Sequence, residues 1–134
     1  MKNKLIIKKV NKDNFYQFAN LIGEFARYQK LKVPDKNSML RLKKDGQGRN
    51  PKYVAYLGFL DNQPISFMTT LMMYSSFRGL PVLYIEDLFV LEKFRRLGFG
   101  QQMFEYAVRT TQKKKCCRLD WWGLTKSKSA MRFY

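Results

Sequence analysis

Two adjacent carboxylates, Glu86 and Asp87, sit in the middle of a β-rich run, 83–90, and are followed eight residues later by a basic, glycine-containing turn, Arg95-Arg96-Leu97-Gly98-Phe99-Gly100. The residues after the turn, 101–114, alternate with helical period, so the order is strand, basic loop, helix. Such a junction suits an anion. Glycines let the backbone come close, the first helical turn offers unpaired N–H groups, and the two arginines add positive charge. A pyrophosphate is the expected guest, and two carboxylates lie a short way upstream of it. Two common phosphate loops do not fit: there is no G-x-x-x-x-G-K-[ST], and position 103 is Met where G-x-G-x-x-G needs a third glycine.

The remaining pattern, R-x-x-G-x-G, resembles the acetyl-coenzyme A loop of the GNAT N-acetyltransferases. Four segments resemble one branch of that family, the diamine (spermidine/spermine or thialysine) acetyltransferases. They are Leu21-Ile22-Gly23-Glu24-Phe25-Ala26-Arg27-Tyr28, Asp45-Gly46-Gln47-Gly48-Arg49-Asn50-Pro51, Tyr84-Ile85-Glu86-Asp87-Leu88-Phe89-Val90 with its loop, and the closing Phe133-Tyr134. The resemblance implies an α/β (α+β) fold with a mixed central sheet, antiparallel N-terminal strands, flanking helices and a splay at the acetyl-coenzyme A site. It also implies transfer of an acetyl group to a primary amine by direct attack in a ternary complex, with acetyl-coenzyme A as cosubstrate and no metal.

Residue by residue, the resemblance makes Glu86 the candidate base, acting through water, and Tyr134 the acid that protonates the departing thiolate. A phenol with a solution pKa of about 10 is protonated at neutral pH and so able to donate. Leu88, Phe89 and Val90 belong to the strand that binds the pantetheine arm through main-chain groups. Arg95, Arg96, Leu97, Gly98, Phe99, Gly100 and Gln101 surround the pyrophosphate, and Ser127 stands where the family often has a coenzyme-contacting asparagine. Arg96 occupies a position at which many relatives have glycine. Glu24, Glu86 and Asp87 are the carboxylates left to hold the amine, because two positions that are acidic in polyamine-acetylating relatives are Gln29 and Ser75 here. A short diamine or a lysine-like amine is therefore expected to be preferred over spermine. Family members are usually dimers, which makes a homodimer the expected assembly.

Composition bounds the alternatives. One domain, 1–134, is expected from 134 residues, and its ending at Phe-Tyr, where the family continues, suggests that C-terminal strands are missing. With 26 Lys and Arg against 10 Asp and Glu the formal charge is +16, and there is no histidine to act as base, metal ligand or pH switch. Cys116 and Cys117 are adjacent, which suits neither an ordinary bridge nor a metal cage and agrees with a reducing, cytoplasmic setting. No apolar run approaches the ~20 residues that span a bilayer, so no membrane partner is expected. The charge and the aromatic content would also suit a non-enzymatic RNA- or DNA-binding module, but no nucleic-acid motif is present and the charges are spread along the chain, so nucleic acid is not expected. A degenerate GNAT domain that binds coenzyme A without turnover is the other alternative.

The elements that must position these residues follow from patterning. A strand is expected at 4–10, a helix capped by Asn11 or Asp13 with Phe15, Phe18, Ile22 and Phe25 inward, and a shorter helix from Pro34-Asp35 to Gly46. A hairpin, 53–60 and 64–74, turns at Asp61-Asn62-Gln63, and is followed by a central strand at 82–90, the helix 98–114 and a strand at 118–124. Trp121 and Trp122 fall on opposite faces of that strand. A last helix is expected to begin within 127–134.

Overall fold

The computed structural model describes residues 3–122 and 128–133. Six strands form one sheet in chain order: β1 (Ile6–Lys9), β2 (Val54–Leu60), β3 (Gln63–Ser75), β4 (Leu80–Val90), β5 (Arg118–Trp122) and β6 (Lys128–Arg132). All neighbours are antiparallel except β4 and β5, which run parallel. Helix α3 (Phe99–Lys113) supplies the crossover between that parallel pair. Helices α1 (Phe15–Tyr28) and α2 (Lys36–Asp45) precede the hairpin.

Alternation along the strands sends side chains to two cores. On one face Phe18 and Leu21 of α1 pack with Ala55, Leu57, Phe67 and Phe89, and Leu42 of α2 borders the cluster. On the other, Met103 and Ala107 of α3 pack with Tyr56, Met68, Leu83, Ile85 and Leu119. Phe18, with no exposed surface, meets Phe67 edge to face at 5.5 Å. Truncating such a side chain costs about 3–5 kcal/mol.

Local signals account for the boundaries. Asp35 caps α2 by accepting from the Ser38 N–H at 2.8 Å, and Gly46 ends it. The β2–β3 turn is made by Asp61 and Asn62, both at positive φ (49° and 65°), the conformation a two-residue hairpin favours. The cap of α1 differs from expectation. Asn14 takes the cap position without a side-chain cap bond, while Asn11 accepts from the N–H groups of Asp13 and Asn14 and shapes the approach.

The expected last helix is corrected. Residues 128–132 form a strand whose register runs from Arg118 opposite Arg132 to Trp122 opposite Lys128. The outer edge of β5 would otherwise present unpaired N–H and C=O groups, and an antiparallel strand satisfies them along its length. Tyr134 and Ser127 lie outside the described residues.

Candidate active site

The site is built where β4 changes its pairing. On the β5 side, β4 is paired only from Val82 to Ile85, so 86–90 have no strand beside them among the described residues. On the β3 side the ladder continues, but Thr69 opposes Asp87 and Thr70 opposes Ile85, which leaves Glu86 as the extra residue of a β-bulge. The bulge resets the alternation. Leu83 and Ile85 pack toward α3, as does Leu88, whereas Phe89 packs against Phe25 of α1. Glu86 and Asp87 are consequently delivered together to the α1 side, at the head of the splay.

Backbone direction follows from the same ladder. Leu91 N–H donates to Ile65 O (2.9 Å), Asp87 N–H to Thr69 Oγ1 (3.1 Å), and Phe89 O accepts from Ser66 Oγ (2.8 Å). Because alternate residues direct their polar groups to opposite edges, Leu88 and Val90 aim theirs into the splay. An amide-rich guest lying along this edge would extend the sheet.

Two cavities meet at the carboxylates. One, about 440 Å³, occupies the splay and is lined by Leu88, Phe104, Trp121 and Trp122, with Phe25 and Gln29 from α1. The second, about 350 Å³, runs beneath α1 and the α1–α2 connection, between Phe25, Leu31, Pro34, Phe67 and Leu71. Glu86 and Asp87 line both. Glu86 is exposed to solvent, whereas Asp87 is half-buried. Burial, and then the charge of Glu86 beside it, push the Asp87 carboxyl up to about 6.

The loop after β4 has the backbone shape expected of an anion cradle. Gly98 caps α3 in the left-handed region at φ 87°, Arg96 takes φ 64° despite its side chain, and the first turn of α3 begins immediately. Phe99 is buried and Leu97 is 60% exposed, so these two present the loop through main chain rather than side chain. Gly100 approaches Val90, whose Cγ2 would lie 3.8 Å from an added Cβ. Gln101 lies on the exposed face of the helix near Glu105.

Arg95 is placed differently from a free phosphate ligand. Its Nε donates to Val90 O (2.8 Å), and its guanidinium lies 4.0 Å from the Tyr28 ring centroid and 5.3 Å from that of Phe89. The contact joins the end of α1 to the end of β4. Nothing in the sequence marks Tyr28 except its place in the segment 21–28 that resembles the family. It also means that the Val90 carbonyl already has a donor, leaving its N–H and the Leu88 groups for the splay.

Two of the expected acceptor-site positions fall elsewhere. Glu24 pairs with Arg27 (2.8 Å) and lines a different cleft, with Gln63, Leu91 and Lys93, on the side of α1 away from Phe25. Ser75 is a buried hairpin residue whose Oγ accepts from Arg78 N–H. The tryptophans do take opposite roles: Trp121 stacks edge-on against Phe104 at 4.9 Å, and Trp122 is 55% exposed at the mouth of the splay. Among the described residues no cluster of three or more His, Cys, Asp or Glu could hold a metal ion, and no helix is long and apolar enough to cross a membrane.

Comparison with known proteins agrees with this geometry. A crystal structure of a probable acetyltransferase superposes with a TM-score of 0.79 at 18% identity, covering 88% of this chain and 78% of that one. An aminoglycoside acetyltransferase from an uncultured soil metagenomic sample superposes at 0.74 with 17% identity, over 97% and 94% of the two chains. By sequence, the chain is similar to thialysine N-epsilon-acetyltransferases from Caenorhabditis elegans, 28% identical over all of this chain and 81% of the relative, and from Bos taurus, 25% identical over 97% and 81%. The family described as Acetyltransferase (GNAT) matches residues 15–134, and with the splayed β4 edge, the left-handed glycine cap and the paired carboxylates already in place, the chain belongs to that family and is an acyltransferase.

Proposed function

We propose that this protein transfers the acetyl group of acetyl-coenzyme A to a primary amine by direct attack within a ternary complex. The observation that carries the reading is the meeting of two cavities at Glu86 and Asp87, one beside an unpaired strand edge and the other under α1. The splay fits a pantetheine arm, with Leu88 and the Val90 N–H as main-chain partners and Phe89 holding the strand against the α1 core. Arg96, Gly98 and the first turn of α3, with Gly100 and Gln101, fit a pyrophosphate, and Arg95 shapes that end of the site through Val90. Ser127 would add a hydroxyl donor.

The chemistry then needs few groups. The ammonium form of the acceptor is drawn to Glu86 and Asp87. It loses a proton to Glu86 through water, and the neutral nitrogen attacks the thioester carbonyl. A backbone N–H of the open β4 edge polarises the carbonyl oxygen. The nitrogen of the adduct gives up its second proton to water, the carbon–sulfur bond breaks with its electron pair leaving on sulfur, and Tyr134 supplies the proton that makes the free thiol and is reprotonated from water. Aimed at the same carboxylates, the two cavities would bring amine and thioester together from opposite sides.

In this reading the working protein is a cytoplasmic homodimer. Calorimetry with acetyl-coenzyme A, followed by an amine panel scored by thiol release, tests the function. Saturable binding with turnover of a primary amine is expected. Absence of binding would remove the acetyltransferase reading, and binding without turnover would leave a coenzyme-binding domain.

A further inference from the structure

The cavity under α1 limits what kind of amine can be used. Beyond Glu86 and Asp87 at one end, its wall is carbon: Phe25, Leu31, Pro34, Leu42, Phe67 and Leu71. The polar groups along it are already engaged. Tyr53 O–H donates to Leu42 O, Thr70 Oγ1 donates to Val54 O (2.9 Å), and Thr69 Oγ1 accepts from Asp87 N–H (3.1 Å). Tyr53 also stays neutral, because burial and then Asp45 push its phenol up to about 12. The one remaining charge among the lining residues is a cation, Lys32.

A polyamine needs the opposite arrangement. Each distal ammonium must be given a carboxylate or left in water, and an ammonium buried without a partner is disfavoured. Glu24 is turned away into its pair with Arg27, and Ser75 lies in the hairpin turn. Gln29 faces the other cavity. Lys32 adds repulsion against a second positive end. An alkyl or aryl stem, by contrast, would replace water along the whole wall.

We infer that the acceptor is a primary monoamine on an apolar stem, its ammonium at Glu86 and Asp87 and its stem along Phe25, Leu31, Phe67 and Leu71. The inference rests on the acetyltransferase reading for its reaction, but the cavity's preference is a property of binding and can be measured apart from turnover.

The decisive comparison is hexylamine against hexamethylenediamine, which share a stem and differ in one terminal ammonium. With the full chain and saturating acetyl-coenzyme A, hexylamine is expected to exceed the diamine in kcat/KM by about tenfold or more. In calorimetry with coenzyme A present, the same order is expected in affinity. Leu31, 62% exposed at the rim, supplies the internal control: Leu31→Glu should bring the diamine to within about threefold of the monoamine. Equal use of the two amines, or preference for the diamine, by the unsubstituted protein would overturn the inference while leaving the acetyltransferase reading intact. Monoamine preference in binding with no turnover of either amine would uphold the cavity's selectivity and overturn the reaction. A Leu31→Glu protein that folds yet keeps the full monoamine preference would show that the stem does not lie under α1 and would also overturn the inference.

Discussion

Arg95 and Tyr28 are stacked, guanidinium over ring at 4.0 Å, and the same guanidinium holds the Val90 carbonyl at 2.8 Å through Nε. One side chain therefore ties the end of α1 to the strand end and loop that would hold the coenzyme. Arg95→Ala should weaken acetyl-coenzyme A binding by about 1.5–3 kcal/mol, the range for a charge-assisted hydrogen bond. Arg95→Lys should recover only part of this, because an ammonium lacks the planar fork. Tyr28→Phe should be near wild type and Tyr28→Ala should lose about 0.5–1 kcal/mol of stability. Isothermal titration and thermal melts on the four proteins check the set; an Arg95→Ala protein with undiminished affinity would mean that the strand end is held by something else.

Gly98 tests the loop itself. Its φ of 87° lies in the left-handed region, yet an added Cβ meets nothing within 4 Å. The cost of Gly98→Ala thus comes from backbone conformation, about 1–2 kcal/mol, and a β-branched residue should suffer more. Gly98→Val should therefore lower the melting temperature and weaken coenzyme binding more than Gly98→Ala does. Equal affinity for acetyl-coenzyme A in all three proteins would dismiss the loop as the pyrophosphate site.

Asp87 links stability to pH. Its folded-state pKa of about 6 stands above the ordinary 3.8, so the folded protein binds this proton more tightly than the unfolded chain does. Protonation of Asp87 accordingly adds stability, fully present below the unfolded value of 3.8 and lost as pH rises through about 6. Asp87→Asn should raise the melting temperature relative to wild type at pH near 8, and that gain should vanish near pH 4. Melts of both proteins at the two pH values decide it. A constant difference at both would show that the carboxyl is not held out of water.

Glu86→Gln and Tyr134→Phe should be distinguishable by pH profile. Removing the phenol proton should reduce kcat by about 10²–10⁴ with coenzyme affinity nearly unchanged. Losing the base should hurt most at low pH, where the amine is protonated, and recover in part as pH rises. Rate against pH for each protein is the measurement. Full activity in Tyr134→Phe excludes it as the acid, and a pH-independent deficit in Glu86→Gln excludes that residue as the base.

The strand, loop and helix proposed to hold the coenzyme were legible in the chain because each rests on local rules. Alternation along 83–90, glycine where φ must be positive, and the 3.6 period of α3 all act within a few residues. The Asp61-Asn62 turn and the Asp35 cap were equally local. Three other features depended on partners far along the chain. The bulge that turns Glu86 and Asp87 together toward α1 exists only because two β4 residues face one step of β3, a register that no single strand specifies. Arg95 read as a phosphate ligand from its loop, but its nearest acceptor and nearest ring are Val90 and Tyr28, brought within reach by packing α1 on β4. Residues 128–132, Lys-Ser-Ala-Met-Arg, are mostly helix formers and became a strand because β5 had an open edge beside them. Sequence determined which groups are available for acetyl transfer, and the tertiary fold decided which of them face one another.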